Sequence, residues 1–151
     1  MNTYLDKVKI EEKDILYRLL EYSLYEESLN DGNEMNNEGL FEYPFFDNYF
    51  TDSDREAFFI REEKTNKLLG FVMIRFSDKT YSIAEFMVIP KYRKNKIGKE
   101  TAIKCFDIHK GNWEVSPSCG SEAAYNFWKR VIDEYTNKNN RFIDGKFLFS
   151  N

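Results

Sequence analysis

Apolar positions change their spacing along this chain, and each change marks an element. Residues Tyr4 to Ile10 alternate loosely, as a strand does, and Ile15, Leu16, Leu19, Leu20, Ser23 and Leu24 then recur at helical steps. Glu11, Glu12 and Asp14 stand at the start of that helix, where the dipole favours negative charge. Asn30 to Glu38 is rich in Asn, Asp and Gly and reads as a loop. It leads into Leu40 to Phe50, whose aromatic density suits core packing or a wall or lid of a pocket. Phe58 to Ile60 and Leu68 to Phe76 predict two strands joined by the turn Glu63-Lys64-Thr65-Asn66, and Tyr81 to Ile89 predicts a fourth strand.

Helical spacing returns at Ile97, Thr101, Ala102, Cys105, Phe106 and His109, and Gly111-Asn112 ends that run. A short fifth strand, Trp113 to Ser116, stops at Pro117. The cleanest periodicity follows in Ala124, Phe127, Trp128, Val131, Ile132 and Tyr135, a helix that Ser118 or Ser121 can cap. Arg141 to Ile143 and Lys146 to Phe149 flank Asp144-Gly145, a favoured hairpin turn. No linker or repeat divides the 151 residues, so one domain over residues 1–151 is expected.

Composition narrows the class. The chain is 42% hydrophobic, 17% aromatic and 32% charged, as a soluble globular domain requires. No apolar run approaches the roughly 20 residues of a membrane span, and the start lacks the basic and apolar stretches of a signal peptide. The cytoplasm is the expected location, with no membrane partner. Two cysteines, Cys105 and Cys119, and one histidine, His109, offer no metal-ligand spacing, so no metal is expected. His109 closes its helix, where a cationic or polar residue is ordinary dipole chemistry, and carries no assigned role.

Charge changes the picture most. In a chain of net charge −4, five of the nine residues from Lys91 to Lys99 are Lys or Arg. They lie between the fourth strand and the start of a helix, where free backbone N–H groups and the dipole favour an anion, above all a phosphate. A solvated loop or a nucleic-acid patch is the plainer reading of such a run. Duplex binding is disfavoured by the acidic remainder, with an isoelectric point near 5.2, and only single-strand binding aided by the aromatics stays open.

The segment Val88-x-Pro90-x-Tyr92-Arg93-x-x-x-Ile97-Gly98, the strand Trp113-Glu114-Val115 and the helix motif Ala124-x-x-Phe127-Trp128, in this order, resemble the GNAT superfamily of N-acetyltransferases. The resemblance implies an α/β fold of the α+β type. Its mixed, mostly antiparallel sheet has six or seven strands and helices on both faces, and the fourth and fifth strands are parallel and splayed. It implies acetyl-CoA as co-substrate, its pyrophosphate wrapped by Arg93, Lys94, Asn95, Lys96, Ile97, Gly98 and Lys99. A bulge around Met87, Val88 and Ile89 would part the strands and leave backbone groups for the pantetheine arm, with the Val88 N–H facing the thioester carbonyl. Ser121 and Trp128 occupy further cofactor-contacting positions.

The family pattern has Gly where this chain has Lys96, Asn where it has Ser121, and Tyr where it has Trp128. Tyr125, nearly one turn earlier, is then the candidate acid for the departing thiolate. Glu85, on the strand face opposite Phe86 and Val88, is the candidate base for an acceptor amine, or an outward-facing carboxylate. The implied reaction is direct acetyl transfer to an amine on a small molecule or peptide. The same three departures also fit a non-catalytic acetyl-CoA or CoA-binding regulatory module. A homodimer through the terminal hairpin is a further expectation.

Overall fold

The computed structural model describes residues Met1–Asn151 and builds one seven-stranded sheet in the order β1-β2-β3-β4-β5-β7-β6. Strands β1 (Thr3–Lys7), β2 (Arg55–Glu62), β3 (Leu68–Ser77) and β4 (Thr80–Val88) form an antiparallel half. Strand β5 (Asn112–Val115) runs parallel to β4 and is followed by the hairpin of β6 (Arg141–Ile143) and β7 (Lys146–Ser150), with β7 against β5. Helices α1 (Lys13–Asp31) and α2 (Asn48–Thr51) precede β2, while α3 (Ile97–Ile108) makes the β4-to-β5 crossover and α4 (Glu122–Thr136) follows β5.

Strand alternation divides the core into two layers. Ala57 and Phe59 of β2 and Phe71 and Met73 of β3 face Leu16, Leu20 and Leu24 of α1. Phe58, Val72 and Ile74 face the other way, onto Ala102, Cys105 and Phe106 of α3 and Trp128, Val131 and Ile132 of α4. Helices therefore cover both faces, as the family resemblance implies. Trp113 is 1% exposed at the centre of the second layer and donates its indole N–H to the His109 carbonyl at 2.9 Å.

Several boundaries differ from those expected. The first strand stops at Lys7, and a 3-10 turn at Ile10–Glu12 takes the chain into α1. Helix α1 runs to Asp31 and ends on left-handed Gly32. Ser121, not Ser118, caps α4, accepting the Ala124 N–H at 3.1 Å. Most of the aromatic segment is core: Phe41, Phe46 and Tyr49 are buried with α1, and only Phe45 stands out, under the Arg55 guanidinium.

The bulge lies earlier than expected. Met73 opposes Glu85 while Ile74 opposes Ile83, which makes Ala84 the extra residue of β4. At Met87 and Val88 the register with β3 is regular, and the Ile89 N–H is bonded to Leu69 O at 2.8 Å. Ala84 sits just past the last β4–β5 pair, Ser82 with Glu114, so the bulge falls where β4 loses its parallel neighbour.

The second layer rests on Phe106, fully buried and edge-on to Trp113 at 5.1 Å and to Phe149 at 4.9 Å. Phe106→Ala is expected to lower the unfolding free energy by about 3–5 kcal/mol, read from the urea midpoint at unchanged slope.

Candidate active site

Beyond Ser82 strands β4 and β5 part, and the gap opens into a cavity of about 830 Å³. Its floor is Phe86, Met87 and Val88 of β4. One wall is α1, through Ser23, Glu26 and Glu27; another is α4, through Ala123, Ala124, Phe127, Trp128, Arg130 and Glu134. The loop before α3 supplies Arg93, Lys94 and Lys96, and the first turn of α3 supplies Gly98 and Lys99. Gly98 permits this closeness, since a Cβ there would meet Phe127 Cε1 at 3.0 Å.

The loop backbone is built for an anion. Lys94 and Lys96 both hold left-handed conformations, with φ of 69° and 63°. No backbone amide from Lys94 to Lys99 donates to an acceptor within the chain, and the first internal bond of the helix start is Glu100 N–H to Lys96 O at 3.0 Å. Consecutive free N–H groups around left-handed residues form a concave donor array, and the α3 dipole adds its positive end. Lys94, Lys96 and Arg130 have no carboxylate partner, whereas Lys99 is paired with Glu134 at 2.6 Å. Lys96 thus adopts the conformation glycine takes most readily, at a cost in strain.

The α1 wall of the cavity carries Glu26 and Glu27, and Glu85 lies beyond them, outside the lining residues. Glu85 is half-buried beneath α1, and burial, reinforced by Glu27 and Asp31, pushes its carboxyl up to about 8. Glu27 is itself raised by burial and then by Asp31. The Tyr43 hydroxyl is driven well above its ordinary range, first by burial and then by Glu85. At neutral pH Glu85 is therefore mostly protonated.

A family model described as the acetyltransferase (GNAT) family matches residues 21–131. The chain belongs to the GNAT acetyltransferase family. Solved structures share this GNAT fold at low identity. Spermidine N-acetyltransferase from Vibrio cholerae, in complex with CoA and spermine, superposes with a TM-score of 0.64 at 10% identity, covering 98% of this chain and 95% of that one. PaiA N-acetyltransferase from Thermoplasma acidophilum, in complex with coenzyme A, gives 0.64 at 14% identity over 98% and 97%. A GNAT-family acetyltransferase from Staphylococcus aureus Mu50 gives 0.61 at 14% identity over 97% of each chain. No curated protein matches the sequence.

Of the site residues expected in this GNAT chain, Met87, Val88, Arg93, Lys94, Lys96, Gly98, Lys99 and Trp128 line the cavity together. Ile97 is core, 1% exposed, and contributes only its backbone to the loop. Asn95 turns its side-chain amide back to the Tyr92 carbonyl. The Ile89 amide is taken by Leu69, and Ser121 serves as a cap. Tyr125 points away: it stacks on Phe147 at 5.5 Å and meets Phe142 edge-on at 5.1 Å, because one residue along α4 turns a side chain by about 100° from Ala124.

Glu26, Glu27, Arg130 and Glu134 were not singled out from the sequence. Ala123, Phe127, Arg130 and Glu134 recur at three- and four-residue steps on α4, a second stripe beside the apolar one that marks the cavity face. Glu26 and Glu27 have no such signal, since acidic pairs on a helix usually face water.

Two outcomes follow from this geometry. Lys96→Gly is expected to raise the unfolding free energy by up to about 1 kcal/mol in urea titration, while Lys96→Ala, equally strained, gives no gain. For Glu85, a folded-state value raised above the ordinary 4.5 gives stability that is complete below pH 4.5 and lost as pH climbs to about 8. Glu85→Gln should therefore match the parent near pH 4.5 and exceed it by roughly 2 kcal/mol at pH 8 and above. Parallel stability curves for the two proteins would remove the buried, unpaired carboxylate.

Proposed function

We propose that this chain, acting as a single transferase domain over residues 1–151, moves an acetyl group from acetyl-CoA directly to an amine. The run of free amides from Lys94 to Lys99 carries this reading, because its donors and the cations Lys94, Lys96 and Arg130 suit a diphosphate. Bound there, acetyl-CoA supplies an acyl carbon already activated as a thioester. The apolar floor of Phe86, Met87 and Val88 suits the pantetheine arm.

Strand alternation supports the Val88 amide as the donor for the thioester oxygen. The Ile89 amide faces β3, so the Val88 amide faces the gap. An N–H held there stabilises charge developing on a carbonyl oxygen, commonly by about 3–4 kcal/mol. In the transfer, the amine nitrogen bonds the acetyl carbon, the carbon–sulfur bond breaks, the thiolate leaves, and the nitrogen releases its second proton to water as the amide forms. The ammonium first gives up a proton to Glu85, whose raised value brings it near the working pH of a general base. With Tyr125 turned into the core, the thiolate is protonated from solvent, for which a thiol value near ~8.5 leaves little demand.

The acceptor is a small, positively charged amine. Glu27 on the cavity wall, with Asp31 beyond it, attracts an ammonium and repels an anionic acceptor, and Glu85 adds to that charge as it ionises toward pH 8. The spermine-bound spermidine N-acetyltransferase among the similar folds supports this class. Both cysteines are free thiols, as suits the reducing cytoplasm.

Titration calorimetry with CoA and thiol-release assays on a panel of mono-, di- and polyamines test the reading. CoA at a hundred times its dissociation constant should stabilise the fold by about 2.7 kcal/mol. Turnover should favour acceptors with a second positive charge and rise with pH to about 8. Glu85→Gln should lower kcat at pH 7 on the order of a hundredfold while CoA binding is unchanged. Absence of CoA binding overturns the site, and binding without turnover on any amine overturns the transfer.

A further inference from the structure

Arg93 belongs to the basic loop, yet its guanidinium is spent on the protein. Its Nε donates to the Val88 carbonyl at 2.8 Å, and its terminal nitrogens reach both Glu26 carboxylate oxygens at 3.2–3.4 Å. The Val88–Ile89 peptide is consequently held from both sides, its carbonyl by Arg93 and its N–H by Leu69 O. Past Ser82 no β5 residue pairs with β4, so the Val88 carbonyl has no strand partner on the open side. Arg93 takes that partner's part. The short 3-10 turn Pro90–Tyr92 brings it back to within reach of a residue five positions earlier.

We propose that Glu26 and Arg93 are positioning residues, a strut from α1 to the end of β4 that fixes the Val88–Ile89 peptide across the gap, and that Arg93 is not a phosphate ligand. This rests on the reading of the cavity as a CoA-thioester site, and it adds a residue, Glu26, that links the acceptor wall to the cofactor loop. Arginine suits the task because its planar fork offers Nε and terminal donors at once, which a lysine ammonium on one flexible stem does not. Lys94, Lys96 and Arg130 remain unpaired for the anion, whereas a phosphate on Arg93 would have to displace Glu26. Arg93 and Glu26 are 43% and 49% exposed, so the pair adds little to global stability, and its loss acts on geometry instead.

Nuclear magnetic resonance of the Arg93 Nε–H, assigned by its disappearance in Arg93→Lys, reads the strut without any activity. The resonance is expected to exchange slowly with water and to stay protected when CoA is added. Glu26→Ala should speed that exchange by about tenfold, and Glu26→Gln, which keeps an acceptor oxygen, should restore most of the protection. In steady-state kinetics Glu26→Ala should lower kcat about tenfold with KM for acetyl-CoA within about twofold, the split that misalignment near the reacting carbonyl produces. Loss of the protected resonance on adding CoA, or tighter CoA binding by Glu26→Ala, would make Arg93 a phosphate ligand and overturn the proposal. Unchanged exchange in Glu26→Ala would overturn it as well. A parent protein that binds no CoA would sink the cavity reading alone, since exchange at Arg93 still reports on the strut.

Discussion

Strands β4 and β5 share only Thr80 to Ser82, and the rest of the molecule is arranged around their parting. A parallel pair needs a helical crossover, and here α3 provides it, so the first turn of that helix necessarily opens beside the gap. The bulge at Ala84 reinforces the separation by bending β4 where its neighbour ends. Backbone groups that a sheet would normally pair are left facing a cavity, and each must find another partner. The Val88 carbonyl finds Arg93, and the amides before α3 face the open space that a ligand can enter.

Electrostatics divides that space into two ends. Cations gather where the free amides are, and carboxylates gather on α1 and β4, within a chain whose overall charge is only −4. In a cavity walled by apolar rings such as Phe86, Phe127 and Trp128, opposite fields at the two ends are poorly screened. An anionic ligand is thereby drawn to one end and a cationic one to the other, with the β4 floor between them. Arg93 and Glu26 stand at the junction, where their mutual pairing keeps one strong charge of each sign from competing for the ligands.

The fold was legible because its elements follow simple periods. Apolar runs at Phe58-Phe59-Ile60 and Leu68 to Phe76 mark strands and the helical steps from Ala124 to Tyr135 mark a helix, and the structure sorts their residues into two core layers. The basic loop was equally legible, since charge and flanking elements are local properties. The position of the bulge was not: it depends on where β5 stops pairing, which is set by residues some thirty positions away. Nor was the acid wall, because Glu26 and Glu27 gain their meaning only when α1 packs across β4. Tyr125 illustrates the same limit at the scale of one residue. It neighbours Ala124 on the chain, yet faces the terminal hairpin instead of the cavity.

Lys96 shows how the loop reconciles conformation with charge. Its left-handed backbone is what turns neighbouring amides inward, and glycine would supply that at less strain. Glycine would supply no cation, however, and with Arg93 committed to Glu26 and Lys99 to Glu134, the loop has few cations left for an anion. A strained lysine at this position gives the array both the turn and a free charge. Strain retained where ordinary packing does not demand it is characteristic of functional sites, and here it lies at the start of α3, beside the gap between β4 and β5.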